Sequence, residues 1–197
     1  MNRLHPFALA LLLAFPFAAM AQSAAPAPAT AASLASSETR QFDFLLGQWE
    51  LVVHPKVSGL AALIHGAPKL IGTWKAWRTG ADIEDEIRIV DGSGNPLSSN
   101  HSLRTWDAAQ NRWKISGRDS SRGRTSEASG QWQGGEMHLD GQFTDAEGKT
   151  LTRTRYYDIG SDSFQMSQDR SSDNGQTWEE GTLVIDAKRV AATATPG

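Results

Sequence analysis

The chain of 197 residues contains no cysteine. Disulfide bonds therefore cannot stabilise the fold, which must depend on its hydrophobic core alone. The absence also excludes acylation of an N-terminal cysteine, the modification that anchors bacterial lipoproteins. The second exclusion favours a soluble protein over a membrane-anchored lipoprotein.

Long apolar runs are absent after the first 21 residues, and neither sign of charge is in large excess. No later segment reaches the roughly 20 apolar residues that a spanning helix needs, so no integral membrane segment is predicted after leader cleavage. The net charge is −3, with acidic and basic residues interspersed. Since nucleic-acid binding proteins carry a basic surface, no nucleic-acid partner is predicted.

Motifs for catalysis and for metal binding are also lacking. The sequence contains no Gly-x-Ser-x-Gly elbow and no glycine-rich phosphate loop that opens a helix. No two of the five histidines stand at the i, i+2 or i, i+4 spacing that suits a metal ion. The sequence therefore predicts no catalytic residue, no metal site and no cofactor.

What the first 21 residues do contain is the pattern of a secretory signal peptide. Met1–His5 is a short basic n-region, Phe7–Ala19 is an apolar h-region, and Ala19-Met20-Ala21 is a small-x-small cleavage site. This pattern predicts cleavage after Ala21 and export to the periplasm or beyond. The alternative is an uncleaved anchor, for which the apolar run is too short.

The rest of the chain divides into a spacer, one domain and a tail. Residues 22–41 are mostly Ala, Pro, Ser and Thr and bury too little apolar surface to offset their ordering entropy, which predicts a flexible linker. Residues 190–197 are predicted to be a disordered tail. Residues 42–189 remain as a single domain, long enough for one substantial core.

The domain contains about ten short strand-like segments at a spacing typical of sandwiches and barrels. The links between them are rich in Gly, Asn, Asp and Pro, which favour tight turns. Ile83, Ile87 and Ile89 alternate with charged residues, as in a sheet with one face buried and one in solvent. Because a meander of this length most simply closes on itself, the predicted fold is all-β, a single antiparallel up-and-down barrel.

Two features are expected at the ends of this barrel. In Gly47-Gln48-Trp49 the glycine permits close backbone approach, so Trp49 is predicted to pack at a closed end. The segment between the prolines at positions 55 and 68 breaks the strand pattern, and Leu60, Leu63 and Ile64 fall on one helical face. This predicts a short helical insertion over one end, either a passive plug or a mobile lid.

The predicted ligand site is the barrel interior. A barrel of this size encloses one small ligand, and its aromatic and apolar side chains would form the wall. Two arginines are available for a carboxylate or other acidic head group. The candidate ligand-binding residues are Trp74, Ile87, Arg104, Trp106, Trp113, Met137, Arg155 and Tyr157, and the candidate lid residues are Leu60, Leu63 and Ile64.

Two other functions remain open at this point. A barrel enzyme of the hydrolase or isomerase type would use an inward Asp85, an inward Glu127 and the arginines as acid, base and oxyanion partner. A structural module would have a solid core and no ligand. Inward charges also occur as paired structural groups, since an unpaired buried charge is costly.

Three parts of the sequence carry a resemblance to a known family: Phe42–Leu51, Arg104–Asp107 with Arg112-Trp113, and Ser172–Trp178. In these parts the chain resembles the bacterial DUF1579-type, calycin-like proteins. The resemblance implies a lipocalin-like or fatty-acid-binding-protein-like barrel and no agreed activity. The expected function is therefore an exported protein that binds a small molecule, apolar or with an acidic head group. The oligomeric state is open.

Overall fold

The computed structural model describes residues 37–57, 66–68 and 70–190. Within them lie ten β-strands and two short 3-10 turns, Glu38–Arg40 and Asp43–Leu45. The strands are β1 (Gly47–Pro55), β2 (Leu70–Thr79), β3 (Asp82–Val90), β4 (Pro96–Asp107), β5 (Arg112–Asp119), β6 (Arg124–Gln133), β7 (Glu136–Asp145), β8 (Gly148–Tyr157), β9 (Ser163–Ser171) and β10 (Glu179–Arg189).

Each strand pairs antiparallel with its neighbour in sequence, and β1 also pairs with β10. The closing pair runs from Trp49 opposite Arg189 to Pro55 opposite Leu183. Every strand therefore has two partners, and the sheet has no free edge. This confirms the prediction of an all-β fold with a single closed up-and-down barrel of ten strands.

One end of the barrel is closed by the segment that precedes β1. Phe42 and Leu45 are completely buried there, and Trp49 Nε1 donates a hydrogen bond to the Leu45 carbonyl oxygen at 2.8 Å. The Phe42 ring packs edge-on against Trp113 and Tyr156, with ring centroids 5.0 and 5.9 Å apart. The predicted position of Trp49 at a closed end is confirmed.

The closing segment, residues 37–46, is called the plug below, and it is hydrogen-bonded to the last strand, β10. Arg189 Nη1 donates a hydrogen bond to the Leu46 carbonyl oxygen at 2.7 Å. The Arg189 guanidinium carbon also lies 4.1 Å from the centroid of the Trp49 ring, close enough for a cation–π interaction. The contacts of Arg189 therefore attach the plug to β10, the strand that closes the sheet by pairing with β1.

The ordered plug begins before the predicted domain boundary. Arg78 donates hydrogen bonds to the Asp43 carboxylate and to the Thr39 carbonyl oxygen, the latter at 3.2 Å. Gln41 Oε1 accepts a hydrogen bond from the indole of a buried tryptophan. The predicted linker over 22–41 is thus too long at its C-terminal end, because residues 37–41 already lie against the barrel.

The turn between β9 and β10 is built around Asp173. Its carboxylate accepts hydrogen bonds from Thr177 Oγ1 at 2.6 Å, from the Thr177 backbone N–H at 2.9 Å and from Ser171 Oγ at 2.7 Å. These bonds, those from Thr177 foremost, lower the pKa of Asp173 to about 2. The ionised carboxylate is therefore part of the folded turn.

Several predicted segments lie outside the described residues. They are the signal peptide over 1–21, the tail beyond residue 190, and the helical insertion with the candidate lid residues Leu60, Leu63 and Ile64. In the part of the chain that the structure describes, no helix has both the length and the apolar character required to cross a membrane.

Replacing Leu45 with Ala tests the role of the plug. Because Leu45 is fully buried, Leu45→Ala is expected to lower the free energy of unfolding by about 2–5 kcal/mol. The matched control Leu103→Ala changes a leucine that is 38% exposed on the outer face, and its expected effect is within about 0.5 kcal/mol. Urea unfolding followed by circular dichroism measures both, and equal losses would contradict the assignment of the plug to the core.

Asp173 is expected to make stability depend on acid pH. Since its pKa is about 2 in the folded state and 3.8 ordinarily, its stabilisation is complete above about pH 4 and is lost as the pH falls toward 2. The stability difference between the wild type and Asp173→Asn should therefore narrow over that range. Urea midpoints at several pH values measure it, and a difference that is constant with pH contradicts this role.

Candidate functional site

The half of the barrel away from the plug encloses a cavity of about 200 Å³. Its wall is of mixed character, because apolar and hydroxyl- or amide-bearing side chains both point inward. The apolar lining includes Ile87, Ile89, Ile115, Leu139, Met166 and Leu183. The uncharged polar lining includes Asn100, Ser102, Ser126, Thr152, Thr154 and Gln168.

The floor of this cavity is a buried ion pair. Arg104 Nε donates a hydrogen bond to Asp85 Oδ2 at 2.6 Å, and the two residues are 3% and 0% exposed. The adjacent strands β3 and β4 bring them together, because both residues occupy inward positions of the pleat. Burial alone would lower the pKa of Arg104, but the negative charge of Asp85 outweighs it and the pKa is raised. Arg104 is therefore charged at every accessible pH.

Aromatic rings surround the pair. The Arg104 guanidinium carbon lies 4.8 Å from the centroid of the Phe42 ring, 5.8 Å from that of Trp74 and 5.9 Å from that of Tyr156. Burial raises the pKa of Tyr156, and the charge of Asp85 adds to this, while Arg104 opposes it. Tyr156 is consequently a neutral phenol at the cavity floor.

Two polar atoms of the pair are unsatisfied. Arg104 Nη1 and Asp85 Oδ1 are buried and have no hydrogen-bond partner among the residues that the structure describes. An unsatisfied buried polar group costs about 1–3 kcal/mol, and more when it is charged. Arg104 is among the residues that line the cavity and Asp85 is not, so the two unsatisfied atoms belong to a buried pair at the cavity floor.

Three arginines, Arg122, Arg124 and Arg170, meet at the open end of the barrel and are called the rim arginines below. They line a second cavity of about 230 Å³, which shares wall residues of β3 and β10 with the interior cavity. The guanidinium carbons of Arg124 and Arg170 lie 4.3 and 5.3 Å from the centroid of the Phe143 ring. Two positively charged guanidinium groups thus contact the same aromatic ring.

The rim arginines repel one another. Burial lowers the pKa of Arg170, and the charges of Arg124 and Arg122 lower it further. Burial and the charge of Arg122 likewise lower the pKa of Arg124, although Asp119 opposes this. Because arginine remains protonated even so, the mouth of the barrel carries a concentrated positive charge.

Asp119 fixes the turn that carries two of these arginines. Its Oδ1 accepts hydrogen bonds from the backbone N–H groups of Ser121 at 3.0 Å and Arg122 at 3.2 Å, and its Oδ2 accepts one from Ser98 Oγ at 2.7 Å. Burial raises the pKa of Asp119, but these bonds outweigh it and the pKa is lowered. Asp119 Oδ2 is 3.7 Å from Arg124 Nη2, so it compensates the rim charge only in part.

The structure separates the predicted ligand residues. Ile87 and Arg104 line the interior cavity. Trp74, Trp113 and Met137 are buried in the packed half of the barrel and are not part of the cavity wall. These three residues act as core, because the aromatic plug occupies the space beside them.

Arg155 and Tyr157 point outward, which corrects the expected inward orientation. On β8 the inward residues are Thr152, Thr154 and Tyr156, and Arg155 is exposed with its guanidinium carbon 4.4 Å from the centroid of the Tyr157 ring. Successive side chains of a strand alternate between faces, so an error of one residue in the predicted register exchanges all inward side chains with all outward ones. Arg155 therefore cannot hold a head group inside the barrel.

The acid–base arrangement of a barrel enzyme is not formed by the residues proposed for it. Asp85 is fully buried in its pair with Arg104, whereas Glu127 is exposed on the outer face of β6. Trp106, also predicted to line the site, is half-buried and packs against Trp113 with ring centroids 5.8 Å apart. Of the three, Glu127 alone is among the residues that border the interior cavity, and its position on the outer face of β6 separates its side chain from the buried Asp85.

The rim arginines were missed from the sequence because they come from a turn and two separate strands. One signal was available on β6, where Arg124, Ser126, Ala128 and Gly130 occupy alternate positions of the inward face. Recognising that face as inward would have placed Arg124 at a barrel mouth. Nothing local connects it to Arg170, since β9 is separated from β6 by β7 and β8 and the two side chains approach each other across the interior.

Within the described ranges, no group of three or more His, Asp or Glu side chains is placed to hold a metal ion. Comparison with protein-family models and with curated proteins finds no match for this chain. The resemblance to DUF1579-type proteins stays a prediction, and the site has to be interpreted from its own geometry.

Breaking the buried pair is expected to be costly. Asp85→Asn leaves the Arg104 charge uncompensated and should lower the free energy of unfolding by about 3–5 kcal/mol. The double variant Asp85→Leu with Arg104→Met removes both charges and should recover most of that loss. The exposed pair of Glu86 and Arg88 is the control, because Glu86→Gln should cost about 0–1 kcal/mol. Urea unfolding of the single variant, the double variant and the control measures these free energies. A double variant that is no more stable than Asp85→Asn would contradict the assignment of Asp85 and Arg104 as a buried ion pair.

Proposed function

We propose that this protein is an exported binding protein that holds one small, largely apolar molecule inside its barrel. The observation that carries this proposal is the interior cavity of about 200 Å³ with its wall of apolar and of hydroxyl- or amide-bearing side chains. Sites for drug-sized ligands are typically about 300–1,000 Å³, so the ligand is small or extends into the second cavity of about 230 Å³ at the mouth.

The wall of the cavity supports a ligand with an apolar body and few polar groups. Isoleucine, leucine and methionine side chains favour alkyl or ring carbon, while the serine and threonine hydroxyls can orient one polar substituent. At the floor the Arg104 charge is already balanced by Asp85 at 2.6 Å. A second carboxylate is therefore disfavoured beside Arg104, because Asp85 would repel it.

Neither alternative function has comparable support. A structural module requires a filled interior, and here only the half occupied by the plug is densely packed. A barrel enzyme requires an acid and a base in one site, and Asp85 and Glu127 lie on opposite sides of the barrel wall. Export rests on the signal-peptide pattern of residues 1–21.

Filling the cavity tests the binding function. Ala128→Phe places a ring inside the cavity, while the matched control Ser129→Phe places the same ring on the outer face of β6. Calorimetric titration with decan-1-ol, a slender neutral probe, is expected to show binding to the wild type and the control. Ala128→Phe should weaken binding by at least about tenfold, or 1.4 kcal/mol. Because overpacking can unfold a variant, Ile87→Phe is the second test.

Native mass spectrometry of the protein purified from its own periplasm completes the test. A mature chain that begins at Gln22 and carries a co-purifying small molecule is the expected result. A wild type that carries no ligand and does not bind decan-1-ol would contradict the proposal and favour the structural module. Binding that is unchanged in both filled variants would place the ligand outside the interior cavity.

A further inference from the structure

We infer that the barrel mouth is an anion-binding site in which the rim arginines Arg122, Arg124 and Arg170 hold the acidic head group of the ligand. The inference rests on the proposed function, because it assumes that the apolar part of the same ligand lies in the interior cavity. It assigns the ligand class, a slender amphipathic anion, and its orientation, tail inward and head at the mouth.

The charge of the mouth is the first support. The described residues that line its cavity of about 230 Å³ include Lys56 and the three rim arginines and no Asp or Glu. Nearby carboxylates offset part of this charge: Asp119 lies 3.7 Å from Arg124 Nη2, and Asp145 and Glu179 line an adjoining pocket together with the rim arginines. Glu179 is shared with Lys56, whose Nζ lies 3.6 Å away, and Asp119 also accepts hydrogen bonds from its own turn. A bound anion would compensate the positive charge that remains.

The arrangement of the guanidinium groups is the second support. Arg122 Nε donates to the Leu97 carbonyl oxygen at 3.0 Å, and Arg170 Nε donates to Gln168 Oε1 at 3.1 Å. Each bond holds the guanidinium group through its inner nitrogen. Within the described part of the chain, the terminal nitrogens of Arg122 and Arg170 are not engaged in another hydrogen bond. They are the donors that bind carboxylate or phosphate oxygens in a bidentate manner.

The continuity of the two cavities is the third support. Ile89 and Leu183 line both the interior cavity and the mouth, so an apolar chain that leaves the interior passes directly beneath the rim. Phe143, which supports Arg124 and Arg170, also lines the interior cavity. An amphipathic ligand would therefore meet apolar wall below and cationic groups above along one path.

The floor is the less suitable place for the head group. Arg104 is paired with Asp85, so the floor has no net positive charge to offer a second anion. Arg155, the other arginine expected to bind an acidic group, lies on the outer face. The mouth is where described cationic side chains exceed anionic ones along the ligand path.

A pair of probes that differ only in charge tests this orientation. Decanoate and decan-1-ol have the same chain length, and calorimetric titration gives the dissociation constant of each for every variant. In the double variant Arg124→Met with Arg170→Met, decanoate is expected to bind about tenfold or more weakly, because charge-assisted hydrogen bonds are lost. Decan-1-ol should change by less than about twofold, since it has no charge to lose.

Two controls accompany this measurement. Arg155→Met removes the same charge from the outer face and should leave both dissociation constants unchanged. Raising the sodium chloride concentration should weaken decanoate binding by the wild type and have little effect on decan-1-ol, because salt screens the rim. If the double variant does not fold, the single variant Arg170→Met provides the same comparison with a smaller expected loss.

The outcomes distinguish this inference from the proposed function. If neither probe binds the wild type, the proposed function fails. If decan-1-ol binds in the interior but decanoate binding is independent of the rim arginines, only the head-group assignment fails. Equal weakening of both probes in the double variant would show that the rim supports the barrel wall and would overturn the assignment. If Arg155→Met weakened decanoate binding as much as the double variant does, the loss would be due to the overall charge of the protein and the head-group assignment would fail.

Discussion

Closure of the sheet between β1 and β10 creates an interior that inward side chains alone do not fill, and the remaining features depend on how that space is divided. The plug supplies Phe42 and Leu45 to one half, where they complete an aromatic core with Trp49 and Trp113. The other half is lined by isoleucine, serine and threonine side chains together with larger polar and charged ones, and it keeps a cavity of about 200 Å³. One barrel thus combines a packed end that supplies stability with a hollow end available for binding.

The buried pair of Asp85 and Arg104 lies at the boundary between these halves. Its aromatic surroundings belong to the packed end, while Arg104 also lines the cavity. An ion pair without water is seldom a net source of stability, because desolvation offsets much of the attraction. Its better-supported role here is to fix which inward positions of β3 and β4 meet.

The open end follows a different electrostatic principle. At the floor a carboxylate balances an arginine at hydrogen-bond distance, whereas at the mouth three arginines have only a partial and more distant counter-charge from Asp119, Asp145 and Glu179. Mutual repulsion of like charges destabilises a fold unless something compensates it. The stacking of Arg124 and Arg170 on Phe143 holds these charges in place in spite of the repulsion, which is the arrangement expected of a preorganised anion site.

The sequence by itself determined the strand succession, the up-and-down closure and the burial of Trp49, because strand periodicity and turn residues are local properties of the chain. It also predicted inward positions for Ile87 and Arg104, and both residues line the interior cavity. It could not orient β8, where threonines occupy one face and leucine with arginines the other, so that neither face is plainly apolar.

Only the tertiary structure decided the rest. It paired Asp85 with Arg104 and moved Glu127 to the outside, since cross-strand register determines which side chains meet. It brought Arg124 and Arg170 together from β6 and β9, which are separated in the sheet by β7 and β8, because the curved sheet directs inward side chains toward the same space. The physical reason is that a periodic pattern specifies the faces of each strand, whereas a site in a barrel is made by side chains that converge across its interior.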